Sequence, residues 1–188
     1  MKNPGVLVYP YMLSLICMAF VSITGIQAKD EKMVVSSIVV NAPPKVVYEV
    51  IRQYRNNTAA RRKQLSVTAD GGTVKENMQG VTILGNVECL WQEKDTPYQR
   101  VDYHLLSSDK FRSAFGSWLI NPANEGRSTQ LQLQAYVDAY INIPFKAEIT
   151  RTNTTKDVKG RLETIKRIAE ATATKTVANQ ADGEKSKE

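Results

Sequence analysis

The stretch KDVKGRLETIKRIAEA, residues 156–171, decides the fold of this chain. Its apolar side chains recur every three or four residues, which is the spacing of one stripe on an α-helix. The stripe consists of Val158, Leu162, Ile165 and Ala169. Asp157 and Arg161 form an acid-first pair of the kind that stabilises helices. A helix that is apolar on one side needs a partner surface, so we expect it to pack across a sheet.

The start and the end of this helix are less sharply defined. Thr154, followed three residues later by an acid, resembles a capping box and offers one start. Pro144 offers an earlier start at about Phe145, because proline is tolerated in the first turn of a helix. Beyond Ala171 the chain contains almost no large apolar residues. We therefore predict a domain over residues 33–172 and a disordered tail over residues 173–188.

The chain before the helix has the patterns of strands. Residues 33–42 are rich in β-branched residues and predict a strand. Pro43-Pro44 ends this strand and begins a helix that is apolar on one side. From Leu65 onward the apolar period is two, with turn signals such as Asp70-Gly71-Gly72. We predict about six further strands there, one of them over residues 81–91. Joined by hairpins, they form a curved antiparallel sheet that grips the last helix, an α+β fold.

The N-terminus has the parts of an export signal. Lys2 precedes an apolar run, and small residues follow up to Ala28, which predicts a signal peptide over residues 1–28. Residues 6–26 are also long enough to span a bilayer, so an uncleaved membrane anchor is the alternative. Either interpretation places the domain outside the cytoplasm, in a periplasmic or extracellular location. Loss of residues 1–28 leaves Cys89 as a single cysteine, which we interpret as a small buried hydrophobic residue.

The charge of the chain gives a weak indication of its partners. The formal net charge is +6, and the basic residues are spread along the chain without an aromatic-plus-basic strand motif. Nucleic acid is therefore not the expected partner. The basic residues concentrate locally at Arg55, Arg61, Arg62 and Lys63, beside Arg52. This group could contact an anionic membrane surface transiently, or it could be a solvated helix end and loop.

Three stretches carry a resemblance to a known superfamily. They are SSIVVNAPP at residues 36–44, FRSAFGSWLINP at residues 111–122, and the helix that follows Pro144 and includes LETIK at residues 162–166. In this order and spacing the chain resembles the START-like SRPBCC superfamily, including its polyketide cyclase/dehydrase-like and coenzyme Q-binding branches. The resemblance implies a helix-grip fold, which hosts lipid carriers, hormone binders and cyclases. Residues 57–63 depart from the acidic-aromatic-proline stretch that members of this branch often carry.

The sequence offers little for catalysis. His104 is the single histidine, and the strand alternation places it on the face opposite Val101 and Tyr103, which predicts a surface position. No second histidine is present to complete a metal site with it, so we predict no catalytic residue, no metal site and no cofactor. A cyclase- or dehydratase-like enzyme is the alternative to a binding protein. A protein-interaction module with a filled core is the third possibility.

A binding function needs an apolar cavity between the sheet and the last helix. We expect a hydrophobic small molecule there, with lipids and isoprenoids as the candidate classes. Aromatic rings with a polar atom are the strongest candidates, since they can both line a pocket and orient a ligand. An arginine on the first half of the helix could pair with a ligand carboxylate or phosphate. The predicted ligand-binding residues are Trp91, Tyr103, Trp118, Ile120, Leu131, Leu133, Val137 and Arg151.

Overall fold

A computed structural model describes residues 33–56, 62–81 and 83–185. The sheet contains seven strands, which are β1 (Val34–Val40), β2 (Arg62–Thr68), β3 (Gly71–Val81), β4 (Gly85–Thr96), β5 (Arg100–Ser108), β6 (Phe111–Ala123) and β7 (Ser128–Ala139). Two helices accompany it, α1 (Pro44–Asn56) and α2 (Lys146–Lys185), and a short 3-10 turn, Asn124–Gly126, joins β6 to β7. This order of elements confirms the predicted α+β fold.

Every strand pairs antiparallel with its neighbours, in the order β1-β7-β6-β5-β4-β3-β2. Successive hairpins explain all the pairings except one, because β1 crosses over to pair with β7. That pairing places Ile38 opposite Leu131 and Val34 opposite Ala135. The apolar residues of β7 are buried in alternation with half-buried glutamines, as the period of two predicted.

The core lies where α1 and the middle of α2 pack on the sheet. The predicted stripe of α2 is confirmed, since Val158, Leu162, Ile165 and Ala169 are all buried. They contact a core that includes Ile51 of α1 and residues of β6 and β7. Burying a side chain the size of leucine stabilises a fold by about 1.5–3 kcal/mol, so this stripe fixes α2 on the sheet.

The helix α2 starts at the earlier of its two predicted sites. The amide of Ile149 donates to the carbonyl of Phe145 at 3.0 Å, which closes the first turn after Pro144. Thr154, the alternative start, lies inside the helix, and its hydroxyl donates to the carbonyl of Thr150 at 2.8 Å. The helix therefore runs without a break from Lys146 through Thr154 into the part that packs on the core.

The end of α2 differs from the prediction. The helix continues to Lys185, where we expected a disordered tail from residue 173. Thr172, Thr174 and Thr176 donate their hydroxyls to carbonyls four residues earlier at 2.8–3.0 Å. The segment lacks large apolar residues, but alanine and lysine favour a helix without any partner surface.

The strand predicted over residues 81–91 is also different. The chain turns between Val81 and Gly85, which face each other across the β3–β4 hairpin. Ile83 adopts a positive φ of 72° and is exposed. The amide of Leu84 donates to the carbonyl of Val81 at 3.0 Å and closes the turn. The turn could not be predicted from the sequence, because apolar residues alternate across this segment as they do in a strand. In addition, isoleucine is rarely found at positive φ.

The predicted signal peptide or anchor, residues 1–28, and Arg61 lie outside the described residues. Among the described residues, no helix is both long and apolar enough to cross a membrane. Cys89 is buried on β4, as predicted, and burial raises the pKa of its thiol to about 11.

Candidate functional site

A cavity of about 500 Å³ lies between the inner face of the sheet and the first half of α2. Ligand pockets begin at roughly 300 Å³, so the space suffices for a small organic ligand. The helix carries small and polar residues in this half, among them Thr150 and Thr154, which line the cavity. Further along, the apolar stripe of α2 fills the corresponding space.

One wall of the cavity is apolar. It is built on a second buried cluster that is separate from the core under the middle of α2. Its members that line the cavity are Met78, Val81, Leu84, Trp91, Tyr103, Phe111, Ala114, Val137, Ala139 and Ile141. The ring of Trp91 meets that of Tyr103 edge to face, with centroids 5.8 Å apart and planes at 82°. Such contacts hold large rings in place at a cavity surface.

Tyr103 and Trp91 each bring a polar atom to this wall. Burial raises the pKa of Tyr103 to about 12, so its hydroxyl keeps its proton at neutral pH. Among the described residues we find no hydrogen-bond partner for that hydroxyl. The indole Nε1 of Trp91 is buried and also lacks a partner within the described part of the chain. A buried donor without a partner, such as the indole Nε1 of Trp91, costs about 1–3 kcal/mol.

The opposite wall is a polar face of α2. Thr150, Asn153, Thr154, Asp157 and Arg161 line the cavity from this helix. The Nε of Arg161 lies 2.8 Å from Oδ2 of Asp157, one turn earlier. Burial disfavours the charged guanidinium, but Asp157 and the oxygen of Tyr103 outweigh that effect and raise the pKa of Arg161 above its ordinary value. Arg161 is therefore a permanent cation at the cavity surface.

An ion-pair cluster closes the end of the cavity near α1. Glu93 of β4 pairs with both Arg55 and Arg62, and Arg55 also lies 3.5 Å from Asp95. Burial disfavours the charged carboxylate of Glu93, but the two guanidinium groups outweigh that effect and lower its pKa below the ordinary value. The side chains of Arg55 and Arg62 are only 13% and 10% exposed.

These contacts correct the predicted membrane-facing basic group. Arg55 and Arg62 point inward to Glu93. A carboxylate that is largely buried needs cationic partners, because it has lost most of its contact with water. Lys63 is exposed, and Arg61 lies outside the described residues. Arg55 and Arg62 are therefore not available to lipid headgroups, and a membrane contact through Arg61 and Lys63 stays a prediction.

Four of the eight predicted ligand-binding residues line the cavity, namely Trp91, Tyr103, Trp118 and Val137. Three others, Ile120, Leu131 and Leu133, do not line it and belong to the core under the apolar stripe of α2. The stripe lies directly on them and leaves no space. Arg151 is exposed and also does not line the cavity. One residue step turns a helix by about 100°, so Thr150 lines the cavity while Arg151 is turned away.

The sequence analysis missed Arg161 and Glu93. A signal for Arg161 was present, since Thr150, Thr154, Asp157 and Arg161 repeat the spacing of the apolar stripe eight residues earlier. We interpreted Asp157 and Arg161 only as a stabilising pair on the helix surface. For Glu93 no signal existed, because its partners come from α1 and β2.

His104 is exposed, as predicted, and does not line the cavity. Within the described ranges, no cluster of three or more histidine, cysteine, aspartate or glutamate side chains could hold a metal ion. The polar groups that line the cavity include carboxylates, guanidinium groups, amides and hydroxyl groups.

No protein-family model matches the sequence, and no curated protein matches it. Solved structures do match. A protein of Thermus thermophilus superposes with a TM-score of 0.61 at 16% identity, covering 75% of this chain and 99% of that one. The Zhui aromatase/cyclase of a Streptomyces species gives 0.57 at 15% identity, with coverages of 77% and 94%. A START superfamily protein of Mycobacterium smegmatis gives 0.56 at 14% identity, with coverages of 77% and 98%. With its curved antiparallel sheet around a long C-terminal helix, this chain has the START-like helix-grip fold.

Proposed function

We propose that this protein binds or carries a hydrophobic small molecule, of lipid or isoprenoid character, in the cavity between the sheet and α2. The observation that carries this proposal is the cavity itself, about 500 Å³ with one wall of aromatic and aliphatic side chains. An inert core would fill such space, because protein interiors pack with few voids larger than a water molecule. The open donors of Tyr103 and Arg161 are further support, since binding sites combine apolar walls with a few polar groups.

A cyclase-like enzyme is the second candidate, and the similarity to the Zhui aromatase/cyclase favours it. The titratable groups that line the cavity and could take part in such a reaction include Tyr103, Glu76, Asp157 and Arg161. The raised pKa of Tyr103 makes its hydroxyl a proton donor rather than a base at neutral pH. Binding is the simpler function, because it needs none of these groups to move a proton.

Native mass spectrometry tests the proposal. Protein purified from cells should carry a non-covalent adduct in the mass range of a lipid, and organic extraction should release it. The matched variants are Val137→Trp, at the cavity wall, and Val35→Trp, at an exposed position of β1. We expect Val137→Trp to lose the adduct and Val35→Trp to keep it. Absence of an adduct, together with failure of a fluorescent lipid analogue to bind, would reject the function.

Location is a separate proposal. We propose that residues 1–28 direct export and that the domain acts outside the cytoplasm. Cell fractionation followed by intact-mass measurement tests this, since cleavage after Ala28 would leave a chain that begins at Lys29. An uncleaved chain that fractionates with membranes would indicate the anchor instead, and a cytoplasmic chain would reject both.

A further inference from the structure

Arg161 differs from the other cations that line the cavity. Arg55 and Arg62 are committed to Glu93 and largely buried, whereas 35% of the Arg161 side chain is exposed. Its closest ionic contact is made by Nε, with Asp157. Among the described residues, neither of its Nη atoms donates a hydrogen bond to a residue other than Asp157. Much of its donor capacity is therefore unused.

Arg161 lines the cavity, and it lies close enough to Tyr103 and Tyr54 for their charges to affect its pKa. Burial disfavours the cation there, but an arginine is charged at neutral pH in any case, and Asp157 is the neighbour that stabilises this charge most. A charged guanidinium beside an apolar wall has the geometry of a headgroup site.

The remaining cavity has the shape that an apolar chain would need. Thr150 and Arg161 both line it from α2, and eleven residues of helix rise by about 16 Å. Met78, Leu84 and Ile141 line its apolar wall, and the Tyr103 hydroxyl is an additional donor near Arg161. The cavity thus combines donors near Arg161 with a long apolar surface.

We propose that Arg161 binds the carboxylate of an amphipathic ligand whose aliphatic chain occupies the apolar part of the cavity. The proposal rests on the proposed function, since it names the class of ligand for the same site. Asp157 contacts Nε and positions the guanidinium, which leaves the Nη1–Nη2 edge for two parallel hydrogen bonds to the ligand. Glu76 and Asp157 are acidic residues that also line the cavity. Because they repel a ligand carboxylate, the carboxylate has to bind in direct contact with Arg161.

Isothermal titration calorimetry with a matched ligand pair tests this. Dodecanoate and dodecanol have chains of equal length and differ in the charge of the head. At neutral pH and below micelle-forming concentrations, we expect the wild-type protein to bind dodecanoate at least about tenfold more tightly. Arg161→Met should abolish that preference, because the affinity for dodecanoate falls much more than the affinity for dodecanol. Arg167→Met, at an exposed site on the same helix, should behave like the wild type.

The outcomes separate the two proposals. If neither ligand binds the wild type, the carrier function and the headgroup site both fail. If both ligands bind equally well, or if Arg161→Met keeps the preference, the carboxylate site alone is overturned. Arg161→Lys provides a second variant in case Arg161→Met does not fold, as judged by circular dichroism. It retains the charge but not the two-donor edge, so a partial loss of the preference is expected.

Discussion

Tyr103 lies over Gly116, its direct partner across β5 and β6. A methyl group at position 116 would collide with the Tyr103 hydroxyl and with the backbone carbonyl of Gln134. The glycine therefore makes room for the ring at the cavity wall, where Tyr103 meets Trp91. The cross-strand neighbour, Tyr103, thus occupies the space over the glycine.

Gly116→Ala should destabilise the protein by about 1–3 kcal/mol, since one of its two clashes is with backbone that cannot move freely. Chemical denaturation measures the loss. Gly160→Ala is the matched control, because nothing lies within 4 Å of the added carbon and the site is helical. That control should stabilise by about 0.4–1 kcal/mol. If the two variants unfolded alike, the close approach of Tyr103 to Gly116 would be wrong.

The sequence predicted what depends on local periodicity. The stripe of α2 and the alternation in β7 are repeated patterns, and each states which face is buried. What the sequence could not show depends on contacts between distant residues. Glu93 and Arg55 lie 38 positions apart, and either one alone is typical of a solvated surface. The division of α2 into a cavity half and a core half likewise depends on how far the sheet extends beneath it.

Leu162→Ala should destabilise the protein by about 2–5 kcal/mol, because Leu162 is fully covered by the core between α2 and the sheet. Lys159→Ala, at an exposed site one turn earlier, should change the unfolding free energy by less than about 0.5 kcal/mol. Urea titration of both variants gives the comparison. A loss at Leu162 as small as that at Lys159 would show that the stripe is not buried.

Replacement of the two tryptophans should cost different amounts of stability. Trp118 is 2% exposed and belongs to the core, so Trp118→Phe should leave a void and cost about 1–3 kcal/mol. The Nε1 atom of Trp91 is buried without a hydrogen-bond partner. Trp91→Phe removes this unsatisfied donor and part of the side-chain volume, and the two effects on stability oppose each other. The cost of Trp91→Phe should stay below about 1 kcal/mol.

Ligand binding gives an independent measure of the same pair. In the Trp118→Phe variant, Trp91 is the remaining tryptophan, and its fluorescence should change when a fatty acid or fatty alcohol enters the cavity. In the Trp91→Phe variant, the response of Trp118 should be smaller, because that ring is mostly held in the core. A larger response from Trp118 would mean that the ligand lies deeper than the apolar wall.

Glu93→Gln should destabilise the protein by about 3–5 kcal/mol, since it leaves Arg55 and Arg62 largely buried without their shared carboxylate. The same pair of contacts predicts a pH dependence. The pKa of Glu93 is lowered from 4.5 in the folded protein, so the folded state binds the proton less readily than the unfolded chain. Its contribution to stability is therefore complete above pH 4.5 and is lost as the pH falls through the lowered value.

Urea titrations across this pH range measure the contribution of Glu93, and they should show a steeper loss of stability in the wild type than in Glu93→Gln. The variant has no carboxylate at this position to protonate, so that part of the pH dependence disappears with it. Glu88→Gln, whose parent carboxylate is exposed on the same strand, should retain the wild-type slope. Equal slopes for the wild type and Glu93→Gln would show that Glu93 does not bind its two arginines in solution.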